Sequence, residues 1–281
     1  MKDRSYVVET LHPFRQLVMD GMELAGRKHC IHGLVQVDIS EARDRLRFVK
    51  ESTGQSLSFT GFIAYCCARA VDEDKHLHGY LDWRGRLVVF DDVDISLPVE
   101  CSQNGRPVVL QTVIRSANRK TVWQIHQEIR ALQAKELGET HWGRWLRWYV
   151  LIPRFIRRFL FRLAQRAPTV LKKLNGTVLV TSVGMFGSGA GWGIPLPGHT
   201  LSVTIGGIEP RPVLTDGNLQ NKAHLCLTVT FDHDIIDGGP AARFIQRFAD
   251  YIQQGVGLDT SPWPPVGVGP LVGRNEGQLE S

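Results

Sequence analysis

The sequence predicts an α/β fold of the α+β kind: one open, mostly mixed sheet with helices packed on it. Three observations carry that prediction. Several runs alternate apolar and polar residues, the pattern of strands with one buried face. Other runs repeat apolar residues at three- and four-residue spacing, the pattern of amphipathic helices. The two kinds of run are interspersed without strict strand–helix alternation, which argues against an all-parallel sheet. The chain has 281 residues, 43% hydrophobic and 22% charged, an ordinary globular composition. That length supports one large core.

Taken in order, Phe14, Leu17, Val18, Met22 and Ala25 fall at helical spacing and predict a helix over Pro13 to Ala25. Val35, Val37 and Ile39 alternate with Gln36 and Asp38, a half-buried strand. Ser40 reads as the N-cap of a helix over Glu41 to Lys50. Thr60 to Val71 is apolar throughout and predicts a buried helix. Leu87 to Leu97 and Pro107 to Ile114 read as strands separated by a polar turn at Gln103-Asn104-Gly105. Thr121 to Glu136 is a further amphipathic helix. Strand-like runs follow at Thr177 to Val183, Thr200 to Ile208 and His224 to Phe231, with the turn Thr215-Asp216-Gly217-Asn218 between the last two. Pro240 to Gln254 presents Ala241, Phe244, Phe248 and Ile252 on one face, with Pro240 at its start and Gly255 past its end. Residues 1–255 read as one domain. The Gly- and Pro-rich segment 256–281 reads as an extended or disordered tail.

The five cysteines (Cys30, Cys66, Cys67, Cys101 and Cys226) are odd in number and lie in apolar runs. They read as reduced core thiols of a cytoplasmic protein, with no disulfide framework. His29-Cys30-x-His32 has no second cluster to complete a metal site, so no metal is expected. The charged first ten residues lack the apolar core of a secretion signal, and no apolar run is long enough to span a bilayer. The net charge of +5 is local: His141 to Lys173 holds nine Lys and Arg and no Asp or Glu.

The most informative stretch is Asp232-His233-Asp234-Ile235-Ile236-Asp237-Gly238-Gly239. It sets a histidine just past an alternating apolar run, with a carboxylate four residues on. Histidine's ordinary pKa, near 6.5, suits proton transfer at neutral pH. Asp and Gly are also common turn formers, so a structural histidine at a strand end has the same local pattern. The glycine cluster from Gly184 to Gly193 lacks both the G-x-G-x-x-G spacing and a following Gly-Lys-Ser/Thr. It reads as a loop permitting close backbone approach.

The segment Phe231 to Gly238 resembles the active-site signature of the catalytic domain of the 2-oxoacid dehydrogenase acyltransferases, whose fold is shared with chloramphenicol acetyltransferase. Asn175-Gly176-Thr177-Val178-Leu179-Val180-Thr181-Ser182-Val183-Gly184-Met185-Phe186-Gly187 resembles that family's upstream strand and loop, in matching register. Val35 to Asp38 and Asp92 to Ile95 also look like family strands, and the similarity runs from about Phe14 to Gly255. The resemblance implies a two-layer fold, a homotrimer or multiple of trimers, and a site shared between subunits. It implies His233 as general base, Thr181 as the hydroxyl supporting a tetrahedral intermediate, and coenzyme A or acyl-CoA as substrate. Asp237 is then a positioning group that fixes the His loop, and Arg15 resembles the family's N-terminal arginine. No lipoyl domain is expected in the sequence, so three outcomes stay open: a lipoyl group served in trans, another acceptor, or a protein that has left the complex altogether.

Two departures stand out. Asp234 replaces the arginine that usually follows the histidine, and an anion beside the base should raise the pKa of the His233 imidazole and alter which substrate charges are tolerated. The basic segment 141–173 places Arg154, Arg157, Arg158, Arg162 and Arg166 largely on one helical face and Phe155, Phe159 and Leu163 on the other, after Trp142, Trp145 and Trp148. Three readings remain open: an apolar face packed on a neighbouring subunit with Arg in solvent, an anionic membrane or partner surface, and attraction of coenzyme A phosphates. Nucleic acid is not expected, since no binding module accompanies the charge. The competing reading of the whole chain is a non-catalytic trimeric scaffold, or an acyl-CoA-binding protein, that uses the basic helix.

Overall fold

The computed structural model describes residues 7–8, 13–26, 28–103, 106–134, 151–184, 189–196, 198–215 and 217–259. Its strands are β1 (Cys30–Asp38), β2 (Tyr80–Leu81), β3 (Leu87–Val88), β4 (Ile95–Gln103), β5 (Arg106–Ile114), β6 (Val178–Ser182), β7 (Leu201–Thr215) and β8 (Asn218–Asp232). Its helices are α1 (Pro13–Ala25), α2 (Ser40–Thr53), α3 (Phe59–Asp72), α4 (Val122–Ala134), α5 (Arg154–Gln165), α6 (Pro168–Asn175) and α7 (Gly238–Gln253). Six strands form one mixed sheet in the order β1-β8-β7-β6-β4-β5, with β6 parallel to both β7 and β4 and the other pairs antiparallel. The predicted mixed sheet with packed helices is therefore the observed one.

The two faces of this sheet differ in chemistry. On one, Val180, Val203 and Val229 lie side by side, as do Leu201 and Phe231, and these residues are buried with Phe62, Phe244 and Phe248 of the covering helices. Gly33 belongs to this face: a Cβ there would stand 2.2 Å from Ile245 Cδ1, so the Ile245 side chain of α7 packs directly over the glycine. On the opposite face the same strands carry Thr181, Ser202, Thr204, Thr228, Thr230 and His32.

Several elements differ from the sequence expectation. The run from Leu87 to Leu97 is not one strand; β3 pairs only with β2, and the chain bends at Asp91-Asp92 before β4 begins. Polar side chains divert the backbone here. The Val93 N–H donates to Asn118 Oδ1, and the Asp94 carboxylate accepts from the Ser116 N–H and from Arg115. Ser40 is the first residue of α2 and not its cap, and its hydroxyl instead accepts from the Ala223 N–H. β7 and β8 run 15 residues each, well beyond the apolar stretches that announced them. Their polar outer halves pair through backbone bonds that hydropathy does not record. Packing also continues past residue 255: Leu258 is buried and Arg45 pairs with Asp259. The rest of the expected tail lies outside the described residues, as do Cys101's side chain, the turn residues Asn104 and Gly105, and 141–150 of the basic segment.

The basic helix is oriented against the simplest expectation. Three of its arginines face α1: Arg157 is buried against Asp20 at 3.3 Å, and Arg154 and Arg158 reach Glu23. Phe155, Phe159 and Leu163 face solvent. Within one chain the arginine face and not the apolar face packs inward, because a buried carboxylate at Asp20 demands a cation and Arg157 supplies it.

Candidate active site

The turn after β8 is built by Asp232. Its carboxylate accepts from the Asp234 N–H at 3.2 Å, and its carbonyl accepts from the N–H groups of Ile235 and Ile236. The carboxylate is nearly buried and bound to Lys28 Nζ at 2.8 Å. Ile236 is buried and anchors the far side of the turn, and Gly238 then opens α7. His233 rides on this scaffold. Its N–H donates to the His29 carbonyl at 2.7 Å, while its ring remains 45% exposed. A rigid backbone thus presents an accessible imidazole, the arrangement a proton-transfer group needs.

Asp237 is the residue at which α7 begins. Its Oδ1 lies 3.9 Å from His233 Nδ1, and its side chain is 88% exposed. At that distance it is not a hydrogen-bonded relay. Its carboxylate stands at the positive end of α7, which favours an anion there. Asp234 turns to His29: Oδ1 is 2.9 Å from His29 Nδ1, and this bond raises the His29 pKa above its ordinary value. The anion that replaces the expected arginine therefore acts on His29. His32, the other histidine of that short motif, bonds Thr230 on the hydroxyl face. Among the described residues no group of three His, Cys, Asp or Glu converges on one point. Arg15 is exposed on α1.

Thr181 is half-buried on β6, level with Thr204 of β7 and Thr228 of β8. His233 lies five residues beyond Thr228. At about 3.3 Å per residue and about 4.8 Å between strands, the two are about 16 Å apart along the sheet and about 10 Å across it. A single chain does not bring Thr181 and His233 together.

Beside Thr181, the chain from Gly189 to Gly193 lies flat against the β7 bulge at Gly206-Gly207. A Cβ on Gly206 would stand 2.1 Å from the Gly191 carbonyl, and one on Gly207 2.0 Å from that of Gly189. Only glycines permit this backbone-on-backbone contact. It leaves an open depression of about 220 Å³ lined by Val183, Trp192 and the glycines. Nearby, the hydroxyls of Ser202, Thr204 and Thr228 are buried without a hydrogen-bond partner among the described residues.

Sequence reasoning missed one supporting residue, His199. Its Nε2–H donates to the Asn175 carbonyl at 2.9 Å, and its own carbonyl accepts from Lys28, which also holds Asp232. Burial drives its pKa down to about 4, so it is neutral at pH 7. No periodicity marks a histidine in a loop before a strand; only the fold places it under the His233 turn.

Comparison with known proteins adds three findings. The sequence matches the family described as 2-oxoacid dehydrogenases acyltransferase (catalytic domain) over residues 4–141 and 162–258. It is 23% identical over 224 residues to the dihydrolipoyllysine-residue succinyltransferase component of the 2-oxoglutarate dehydrogenase complex of Saccharomyces cerevisiae, covering 78% of this chain and 41% of that protein. Among solved structures, the fold is similar to Azotobacter vinelandii dihydrolipoamide acetyltransferase (TM-score 0.68, 19% identity, 91% of this chain and 96% of that one). It is also similar to a truncated catalytic core of the 2-oxoacid dehydrogenase multienzyme complex of Thermoplasma acidophilum (TM-score 0.63, 19% identity, 89% and 100%). The chain spans about two fifths of the length of its curated relative.

Proposed function

The chain belongs to the 2-oxoacid dehydrogenase acyltransferase family, and from that premise we propose that it moves an acyl group between the thiol of coenzyme A and a second thiol, a lipoyl group carried by another protein. The observation that carries this reading is the one family match that spans both Thr181 and the His233 turn, with the ring of His233 held exposed on a rigid turn. The chemistry follows from the groups. A thiol is mostly protonated at neutral pH, so attack on a thioester needs a base. His233 takes the thiol proton, the thiolate adds to the thioester carbonyl, and a tetrahedral oxyanion forms. The Thr181 hydroxyl donates a hydrogen bond to that oxyanion. Collapse expels the first thiolate, which recovers the proton from His233. Asp237, whose side chain makes no cap hydrogen bond, is assigned a positioning role through its charge at the start of α7, 3.9 Å from the His233 ring.

Because one chain separates Thr181 from His233, the site is proposed to form between copies, in a homotrimer or a multiple of trimers. The investigated Azotobacter vinelandii enzyme has a serine, a histidine and an asparagine assigned to its mechanism, at the chain separations of Thr181, His233 and Asp237 here. The second thiol follows from the names of the relatives, which act on dihydrolipoyllysine residues.

The test is acyl transfer from acetyl- and succinyl-CoA to dihydrolipoamide. His233→Ala should lower kcat about 10²- to 10⁴-fold, and Thr181→Val about 10²- to 10³-fold, with Thr181→Ser largely active. Coexpressing the two inactive variants should restore part of the activity, since mixed assemblies contain sites with both wild-type residues. Coexpressed variants that stay inactive would place the two groups in separate roles. Wild-type protein that neither turns over nor binds any acyl-CoA would leave a non-catalytic scaffold as the remaining reading.

A further inference from the structure

The family match skips residues 142–161, so this stretch is an addition that the shared reaction does not require. Its described part begins at Leu151 and runs into α5. Leu151, Phe155, Phe159 and Leu163 recur every four residues and form one stripe, and each is more than half exposed. Helix α5 is held to the body by the opposite face. Arg154, Arg157 and Arg158 engage Asp20 and Glu23, and Phe161 lies against Gly21. The stripe therefore cannot turn inward without breaking a buried ion pair. Arg162 and Arg166 flank it, both exposed. From His141 to Lys173 there is no Asp or Glu, and Trp142, Trp145, Trp148 and Tyr149 directly precede the stripe in sequence.

From this we infer that α5 is a membrane-surface anchor: it lies in the plane of a bilayer containing anionic lipids, with Phe155, Phe159 and Leu163 entering the acyl boundary and Arg162 and Arg166 on the headgroups. Charge selects this occupant. A two-fold contact of this face with its own copy would bring arginines onto arginines with no acid of the segment between them, since such a contact pairs a patch with itself. Anionic headgroups instead complement the cations, and the exposed phenylalanines gain an apolar phase. Twelve helical residues reach about 18 Å, too short to span a bilayer. No helix among the described residues is long and apolar enough to cross one. Helix α5 thus lies on the membrane and does not pass through it. Arg154, Arg157 and Arg158 share the two carboxylates Asp20 and Glu23 of α1, so the lipid contact rests mainly on the remaining cations and the aromatic stripe.

The experiment is flotation of the full chain with phosphatidylglycerol-containing vesicles, beside pure phosphatidylcholine vesicles. Binding should require the anionic lipid and weaken as salt is raised. Arg162→Gln with Arg166→Gln should lower partitioning roughly fivefold per cation, about 30-fold together. Phe155→Ser with Phe159→Ser should abolish it while leaving the circular dichroism spectrum and acyl transfer unchanged. His233→Ala should float like wild type, which separates this inference from the proposed activity. Absent flotation, equal binding to both vesicle types, or full binding by the serine variant would overturn it. So would light scattering that shows the serine variant breaking a soluble oligomer, for then the stripe is a contact between copies.

Discussion

Helix α7 lays Ala241, Phe244, Phe248 and Ile252 onto the sheet, whereas α5 pins its arginines to α1 and presents Phe155, Phe159 and Leu163 to water. In sequence the two look alike: each is an amphipathic helix with aromatic residues along one stripe. The difference lies in what each helix meets. α7 lands on a valine-rich sheet face and on Gly33, which has no side chain to hold it off. α5 lands on Asp20, a carboxylate that is 1% exposed and whose burial is tolerable only with a cation beside it. A periodic pattern names two faces; the neighbouring surface chooses which is buried.

The largest effects should separate the two stripes. Phe244→Ala removes a fully buried ring stacked on Phe248 and edge-on to Phe231, and should cost about 4 kcal/mol in urea unfolding. Phe159→Ala, on the corresponding stripe of α5, should change stability by less than about 0.5 kcal/mol. Equal costs would mean that α5 buries its apolar face in the working protein. Next, Asp20→Ala should cost about 3 kcal/mol, because it strips the carboxylate from a buried Arg157. Hydrogen exchange should show α5 opening while α7 stays protected; unchanged protection of α5 would show that the ion pair does not hold it.

The smallest of these effects concerns neutral groups. The core side of the molecule buries imidazoles without a charge partner, in contrast to the paired ions under α5. Burial lowers both His78 and His199 to about 4. The unfolded chain, with histidines near 6.5, then binds protons more readily than the folded one, so stability falls as pH drops below 6.5 and levels off below 4. At pH 5 each histidine should cost about 2 kcal/mol relative to pH 7. His78→Leu should remove its share of that slope, and a slope unaffected by the change would locate the acid sensitivity elsewhere.

Much of the fold was legible because alternation and helical spacing are local. α1 matches its predicted bounds, and α3 extends its predicted span by one residue at each end, with Ser58 capping it. The His233 turn was visible from Asp232 and Gly238, and the link to Thr181 from the family resemblance. The bend at Asp91-Asp92, the outer halves of β7 and β8, and the role of His199 were not legible. Each depends on partners far along the chain: Asn118 for Val93, a neighbouring strand for each polar stretch, Asn175 for His199.

The sequence by itself determined the mixed sheet, the helix that follows His233 and the identity of the titrating and hydroxyl groups, because these rest on residue type and spacing of a few positions. Only the tertiary structure decided three further matters. Asp234 acts on His29 because the turn aims it there. Thr181 and His233 stand apart in one chain because β6 and the end of β8 are two strands and several residues removed. The apolar stripe of α5 points outward because one buried carboxylate on α1 claims the arginine face, and an ion left unpaired in the interior costs more than a phenylalanine left in water.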